Sequence, residues 1–123
     1  MNPAAVPASA LLNTWTSHEW RDGLRIDDLS ALDRLTVETR HSTYEIVIVS
    51  PATAEVLVRG GAFFPTFTSA QLAGCSLGGS FLKMRSAHVG FCLEFALEAH
   101  VIITSPVRTI AVATGSNASR GVM

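Results

Sequence analysis

The sequence has little charge, few cysteines and no long hydrophobic run. Only 15% of its 123 residues are Asp, Glu, Lys or Arg, and the net charge is −1. A soluble domain carries about 25% of these residues. The near-zero net charge argues against a strongly basic nucleic-acid binder, and two cysteines are too few for a disulfide scaffold. No window holds the roughly 18 apolar residues that a membrane helix needs, so we expect no membrane partner.

Apolar residues are plentiful instead, at 48% of the chain. This content excludes an intrinsically disordered protein. A chain of this length forms one domain and buries about two-thirds of its surface on folding, which is enough for a hydrophobic core without disulfides or metals.

The N-terminal residues and the two cysteines bear on the cellular compartment in which the protein is expected. No Lys or Arg precedes Arg21, and Pro3 and Pro7 interrupt the first apolar stretch, so we expect a flexible arm rather than a secretory signal. Cys75 and Cys92 then predict small buried thiols in a reducing cytoplasm. A disulfide or a metal pair is the alternative for these two residues.

The distribution of charge divides the chain into three parts. Charged residues are concentrated in residues 1–34, and β-branched and aromatic residues dominate from there to residue 113. We therefore predict a partly helical arm (1–34), a β domain (35–113) and a disordered polar tail (114–123). Within the arm, capping residues favour a short helix or turn over 16–23 and a single helical turn over 27–32.

After residue 34 the side-chain pattern repeats every two residues, with one set facing the predicted core and the other facing away. This pattern predicts three consecutive strands. A turn at His41-Ser42 and a loop over 50–54 around Pro51 fix their registers. The predicted partners are Thr39 with Tyr44, Val37 with Ile46, Leu35 with Ile48, Ile48 with Val56, Ile46 with Val58, and Glu45 with Arg59.

Glycine and proline divide the remainder into short strands. The segments 62–68, 71–77, 80–84 and 109–113 read as strands, and residues 90–97 and 100–105 as a hairpin. A three-residue loop in this hairpin pairs Phe95 with Val101 and Leu93 with Ile103. Seven to eight short strands without a long helical period predict an all-β fold, a small antiparallel barrel or sandwich.

Two groups of side chains are candidates for chemistry. Glu38 and Glu45 are expected opposite each other, a pair that Arg59 would neutralise. Cys92, Glu94 and His100 share one predicted face, but Cys92 and His100 lie about four residues apart along the sheet, too far for a direct hydrogen bond. We therefore assign no catalytic residue.

A ligand pocket is the alternative use of the same hairpin. Phe63 and Phe64 would supply an apolar wall beside Cys92, Glu94 and His100, although core packing is the more common role of phenylalanine. The sequence has no spacing of Cys and His that is typical of a metal site and no phosphate-binding glycine loop, so we expect no metal and no cofactor. The only basic cluster, Lys83-Met84-Arg85, is too small for nucleic-acid binding.

The most informative feature is that several strands are apolar on both faces. Val47, Val49 and Leu57 lie opposite the predicted core face, and Ile102 faces away from Val101 and Ile103. A solvated antiparallel sheet has polar residues on its outer face, and a large exposed apolar patch marks an interface or a ligand site. The segment around Trp15 and Trp20 can cover only part of this face. We therefore expect a homo-oligomer, most simply a two-fold dimer.

Four segments resemble small bacterial proteins without an assigned activity: Leu35-Thr36-Val37-Glu38-Thr39, Ser42-Thr43-Tyr44, Val58-Arg59-Gly60-Gly61 and Ile103-Thr104-Ser105-Pro106-Val107. The resemblance implies a small β-barrel and transfers no catalytic residue. From the sequence we predict a non-enzymatic, self-associating binding or scaffold protein. The alternative is a small-molecule-binding barrel or enzyme whose pocket lies at Phe63, Phe64, Cys92, Glu94 and His100.

Overall fold

The computed structural model describes residues 18–78 and 82–114 and confirms an all-β protein. Its one helical element among these residues is a single 3₁₀ turn, Ile26–Asp28. The strands are β1 (His18–Arg21), β2 (Gly23–Arg25), β3 (Arg34–Thr39), β4 (Thr43–Ser50), β5 (Glu55–Gly60), β6 (Phe64–Ser76), β7 (Lys83–Met84), β8 (Ser86–His88), β9 (Cys92–Ala96) and β10 (Val101–Ala113).

All strand pairs are antiparallel. The main sheet follows the order β1-β10-β3-β4-β5-β6-β7, and β9 pairs with both β10 and β6. Each of the strands β3, β4, β5, β6, β9 and β10 therefore has two or more neighbours. Strands β2 and β8 form a separate two-stranded sheet.

Two long strands each join different parts of the main sheet. Strands β6 and β10 have 13 residues each, and each changes partner along its length. The first half of β6 pairs with β5 and the second half with β9, while β10 pairs first with β9 and then with β3. The sequence predicted two separate strands in each region. Pro106 does not end β10, because it lies where the register with β9 shifts, a position that tolerates a missing N–H.

The pairing of β6 with β7 requires a glycine at position 74. Its φ is +151°, and a Cβ there would lie 2.1 Å from the backbone oxygen of Lys83. Gly74 pairs with Met84 of β7 and with Glu94 of β9. Only a residue without a side chain allows β7 this close approach.

The predicted β4–β5 register is confirmed. Ile48 pairs with Val56, Ile46 with Val58, and Glu45 with Arg59.

The predicted β3–β4 register is wrong by two residues. Leu35 pairs with Ile46 and Val37 with Tyr44. The cause is that the two-residue turn lies one residue earlier, at Arg40-His41 rather than at His41-Ser42, so that the N–H of Thr39 donates to the carbonyl oxygen of Ser42 over 2.7 Å. A shift of two residues keeps each side chain on its face, so the predicted core face of this hairpin survives.

The predicted β9–β10 register is wrong by one residue. Ile102 pairs with Phe95 and Ile103 with Glu94, because the loop between the strands holds two residues, 98 and 99, rather than the predicted three. The loop closes with the Leu97 N–H donating to the carbonyl oxygen of His100. Ile102 is therefore buried, and Val101 and Ile103 are 54% and 41% exposed. A shift of one residue exchanges the two faces of a strand.

The short helix or turn predicted over 16–23 is also wrong in its described part. Residues 18–21 form β1, which pairs with β10, and residues 23–25 form β2. The 3₁₀ turn Ile26–Asp28 begins one residue before the predicted helical turn. Residues 1–17 and 115–123, and therefore most of the predicted tail, lie outside the described part of the chain.

The core lies on the inner face of the main sheet. Three aromatic rings meet there, with centroids 6.4 Å apart for Tyr44–Phe64, 6.1 Å for Tyr44–Phe95 and 5.4 Å for Phe64–Phe95. Each is at most 4% exposed. Full burial of a Phe side chain contributes about 1.5–3 kcal/mol, so this trio is a main source of stability. Aliphatic side chains from β3, β4, β5, β6, β9 and β10 surround it.

Candidate functional site

A cleft on the outer face of the sheet lies beside Trp20. One cross-strand row runs from Trp20 of β1 through Ala111 of β10, Thr36 of β3 and Glu45 of β4 to Arg59 of β5. The cleft measures about 330 Å³ and is lined by Trp20, Arg34, Leu35, Thr36, Glu45, Ile46, Val47, Ala111 and Ala113. The small alanine side chains of β10 leave the space beside the indole ring.

A second, smaller cavity of about 210 Å³ also borders Trp20. Its other lining residues include Arg21, Asp22, Arg108 and Val89. Trp20 is 53% exposed and separates the two cavities. An exposed tryptophan between two depressions is the type of residue that anchors binding interfaces.

Charged groups continue the cleft across β4 and β5. The Arg59 guanidinium donates to the Glu45 carboxylate, with Nε 3.0 Å from Oε1, and lies 4.4 Å from the centroid of the Phe67 ring. Glu45 therefore faces Arg59, as predicted. The predicted Glu38–Glu45 pair is wrong, because Glu38 pairs with Thr43. No carboxylate pair for acid–base chemistry arises here.

The outer face of β4 and β5 is apolar beyond this ion pair. Val47 pairs with Leu57, which is 36% exposed, and Val49 is 46% exposed. Apolar side chains on both faces of these strands were predicted and are confirmed. On β10 the exposed apolar residues are Val101 and Ile103, whereas the predicted outward residue, Ile102, lies in the core.

The five residues of the predicted pocket have different surroundings. Phe64 belongs to the core, whereas Phe63 is 62% exposed. Cys92 is buried, Glu94 accepts a hydrogen bond from the Ser76 hydroxyl, and His100 is exposed in the β9–β10 turn. None of the five lines either of the two cavities beside Trp20.

Both cysteines are free and buried, as predicted. Burial raises the pKa of the Cys75 thiol, an effect that the Ser86 hydroxyl 3.7 Å away opposes. A raised pKa leaves little of the reactive thiolate near neutral pH. Cys75 is therefore suited to packing rather than to nucleophilic chemistry.

The described residues contain no group of three His, Cys, Asp or Glu side chains that could hold a metal ion. Nor does this part of the chain contain a helix long and apolar enough to cross a membrane.

The sequence did not reveal the cleft beside Trp20. The signals for it were present as alternating small residues at Ala111 and Ala113 and as an isolated Trp20. These residues come together only because β1 pairs with β10. The structure predicted over 16–23 did not include this pairing.

Comparison with known proteins gives no further assignment: no protein-family model, curated protein or solved structure matches this chain.

Proposed function

We propose that this protein is a small β-barrel that associates with copies of itself and serves as a binding or scaffold component rather than as an enzyme. Two free, buried thiols favour work in a reducing compartment such as the cytoplasm. The pairing of β9 with both β6 and β10, and of β10 with β3, supports the barrel.

The observation that carries self-association is the apolar outer face of β4 and β5. Val49 and Leu57 keep 46% and 36% of their surface exposed, and Val47 lies between them and the cleft beside Trp20. The part of an aliphatic side chain that stays in water contributes nothing to the folding of one chain, but it stabilises an interface once a partner covers it. A second copy is the simplest partner, through a two-fold axis.

Native mass spectrometry and light scattering of the full chain test this proposal. We expect a multiple of the chain mass. The double variant Val49→Ser/Leu57→Ser should raise the dissociation constant about tenfold or more, which corresponds to about 1.4 kcal/mol. The control Glu98→Gln changes an exposed polar residue in the β9–β10 turn, away from β4 and β5, and should leave the constant unchanged. A wild-type protein that stays monomeric at high concentration contradicts self-association.

Binding of a small molecule in the cleft beside Trp20 is the second candidate. Its volume of about 330 Å³ lies at the lower end of the range of ligand sites, about 300–1,000 Å³. The indole ring, the Arg34 guanidinium and the Glu45 carboxylate would give a ligand one apolar and two charged contacts. A monomer that carries additional mass in the same spectra, lost in Trp20→Ala, would favour this function over self-association.

A further inference from the structure

Two exposed charges of opposite sign border the apolar outer face of β4 and β5. Arg34 of β3 lies in one cross-strand row with Val47 and Leu57, and Glu55 lies two residues before Leu57 on β5. Side chains two residues apart on a strand share a face, so the two charges stand on the same face at opposite sides of β4. Among the described residues, no ion pair involves either of them.

A leucine in an unusual backbone conformation borders the same face. Leu32 has a φ of 73°, in the left-handed region that turns usually assign to glycine or asparagine, and it is 64% exposed. Its N–H donates to the carbonyl oxygen of Ile48 over 2.7 Å, which places Leu32 beside the peptide bond between Ile48 and Val49. Neither the backbone conformation nor burial within one chain accounts for a leucine here. Strained residues of this kind are concentrated at functional sites.

We propose that two copies of this protein pack outer face to outer face about a two-fold axis that crosses β4 at Ile48. The axis lies in the plane of the interface, perpendicular to the line from Arg34 to Glu55. Rotation about it places Arg34 of each copy opposite Glu55 of the other, so that two ion pairs form. This inference rests on the proposed self-association and names the geometry of that association and the residues that fix it.

The same rotation brings apolar side chains together. Neighbouring strands lie about 4.8 Å apart, and successive residues of a strand lie about 3.4 Å apart. On a grid with these spacings and the observed register, Leu57 of one copy faces Val47 of the other, and Leu32 of one copy faces Val49 of the other. Each pair occurs twice, so the apolar residues of the face and the exposed Leu32 cover one another.

The charges favour this axis over the other simple axes through Ile48. An axis along β4 places Arg34 over Leu57 and Glu55 over Leu32, and an axis across β4 exchanges these two partners. Both remove the charges from water without a partner, which is unfavourable. An axis along the line from Arg34 to Glu55 places each charge opposite the same charge of the other copy. Only the proposed axis pairs opposite charges at both sites.

A charge-exchange experiment tests this geometry on the full chain. In a homodimer of Arg34→Glu or of Glu55→Arg, like charges oppose each other at both sites, and the dissociation constant should rise about tenfold or more. In a heterodimer of these two variants, opposite charges meet at both sites. Native mass spectrometry separates the three dimers by mass. We expect the ratio of heterodimers to homodimers to exceed its statistical value about tenfold, and Arg34→Glu/Glu55→Arg in one chain to associate like the wild type.

A matched control makes the same charge changes outside the outer face. Arg40 and Glu98 are exposed residues of the β3–β4 and β9–β10 turns. Arg40→Glu and Glu98→Arg should therefore form dimers in statistical proportions. The same statistical mixing of the Arg34 and Glu55 variants would contradict the proposed axis.

A second substitution tests Leu32 and separates an interface role from a structural one. Glycine adopts a positive φ without strain, so Leu32→Gly should leave the urea unfolding of the monomer little changed and raise the dissociation constant about tenfold. The control Val101→Ser changes an apolar residue that is 54% exposed on the β9–β10 hairpin, and it should leave the constant unchanged. A less stable monomer with an unchanged dissociation constant would show that Leu32 serves the fold and not the interface.

The outcomes separate the two proposals. If the wild type assembles and Val49→Ser/Leu57→Ser weakens it, but the charge variants mix statistically and Leu32→Gly associates normally, self-association stands and the proposed axis is wrong. A monomeric wild type overturns both proposals. In that case, a loss of stability in Val49→Ser/Leu57→Ser would assign the outer face to residues 1–17 of the same chain. A heterodimer preference together with weaker association of Leu32→Gly supports the axis.

Discussion

Strands β4 and β5 carry similar side chains on two faces with opposite surroundings. On the inner face Ile46, Ile48, Val56 and Val58 are fully buried. On the outer face Val49 and Leu57 are 46% and 36% exposed. Burial within one chain explains the inner set, and it leaves the outer set unexplained. The comparison therefore separates residues that the fold requires from residues that favour an interface.

The largest expected effect is at the adjacent pair Ile48 and Val49. Ile48→Ala opens a cavity in the core and should lower the free energy of unfolding by about 2–5 kcal/mol. Val49→Ala removes methyl groups that face solvent in the monomer and should change it by less than about 0.5 kcal/mol. Urea unfolding at a concentration where the protein is monomeric measures both. If both substitutions lowered the free energy of unfolding by similar amounts, the inner and outer faces would contribute equally to folding of the single chain, which would contradict this comparison.

The same comparison explains which registers the sequence could predict. For β4 and β5 the loop around Pro51 and the side chains of both strands agree on one register, and it is confirmed. In β10 the run Val101-Ile102-Ile103 is apolar at every position, so periodicity cannot decide which face is buried. The turn decides it instead, through the bond from Leu97 to His100.

Long-range pairing accounts for most of what the sequence did not predict. Residues 18–21 carry local signals for a capped helix, but β10 offers a whole strand edge to pair with, and these contacts outweigh the local preference. The cleft beside Trp20 depends on this pairing. The apolar outer face, in contrast, was visible in the sequence because it depends only on alternation within β4 and β5.

The single tyrosine of the chain tests the inner face by pH. Burial raises the pKa of Tyr44 above its ordinary value of 10.0, an effect that a hydrogen bond with Ser42 opposes. The phenol is therefore deprotonated more readily in the unfolded chain, so its contribution to stability is complete below pH 10.0 and decreases as the pH rises through the folded pKa. Tyr44→Phe should remove this part of the alkaline destabilisation.

Near-ultraviolet absorbance measures this titration directly, because the chain has one tyrosine. The folded protein should form tyrosinate at a higher pH than the protein in denaturant. Titration of Tyr44 at the same pH in both states would contradict an apolar environment on the inner face.

The smallest effect is expected for the ion pair on the outer face. Arg59 contacts the Glu45 carboxylate and the Phe67 ring, but the Arg59 and Glu45 side chains are 46% and 42% exposed. Water screens such contacts, so Arg59→Ala should lower the free energy of unfolding by less than about 1 kcal/mol. A double-mutant cycle with Glu45→Gln isolates the pair, and high salt should reduce its coupling further. A coupling energy well above this range would show that the outer face contributes to folding of the single chain, and the apolar residues beside the pair would then need no partner copy to explain them.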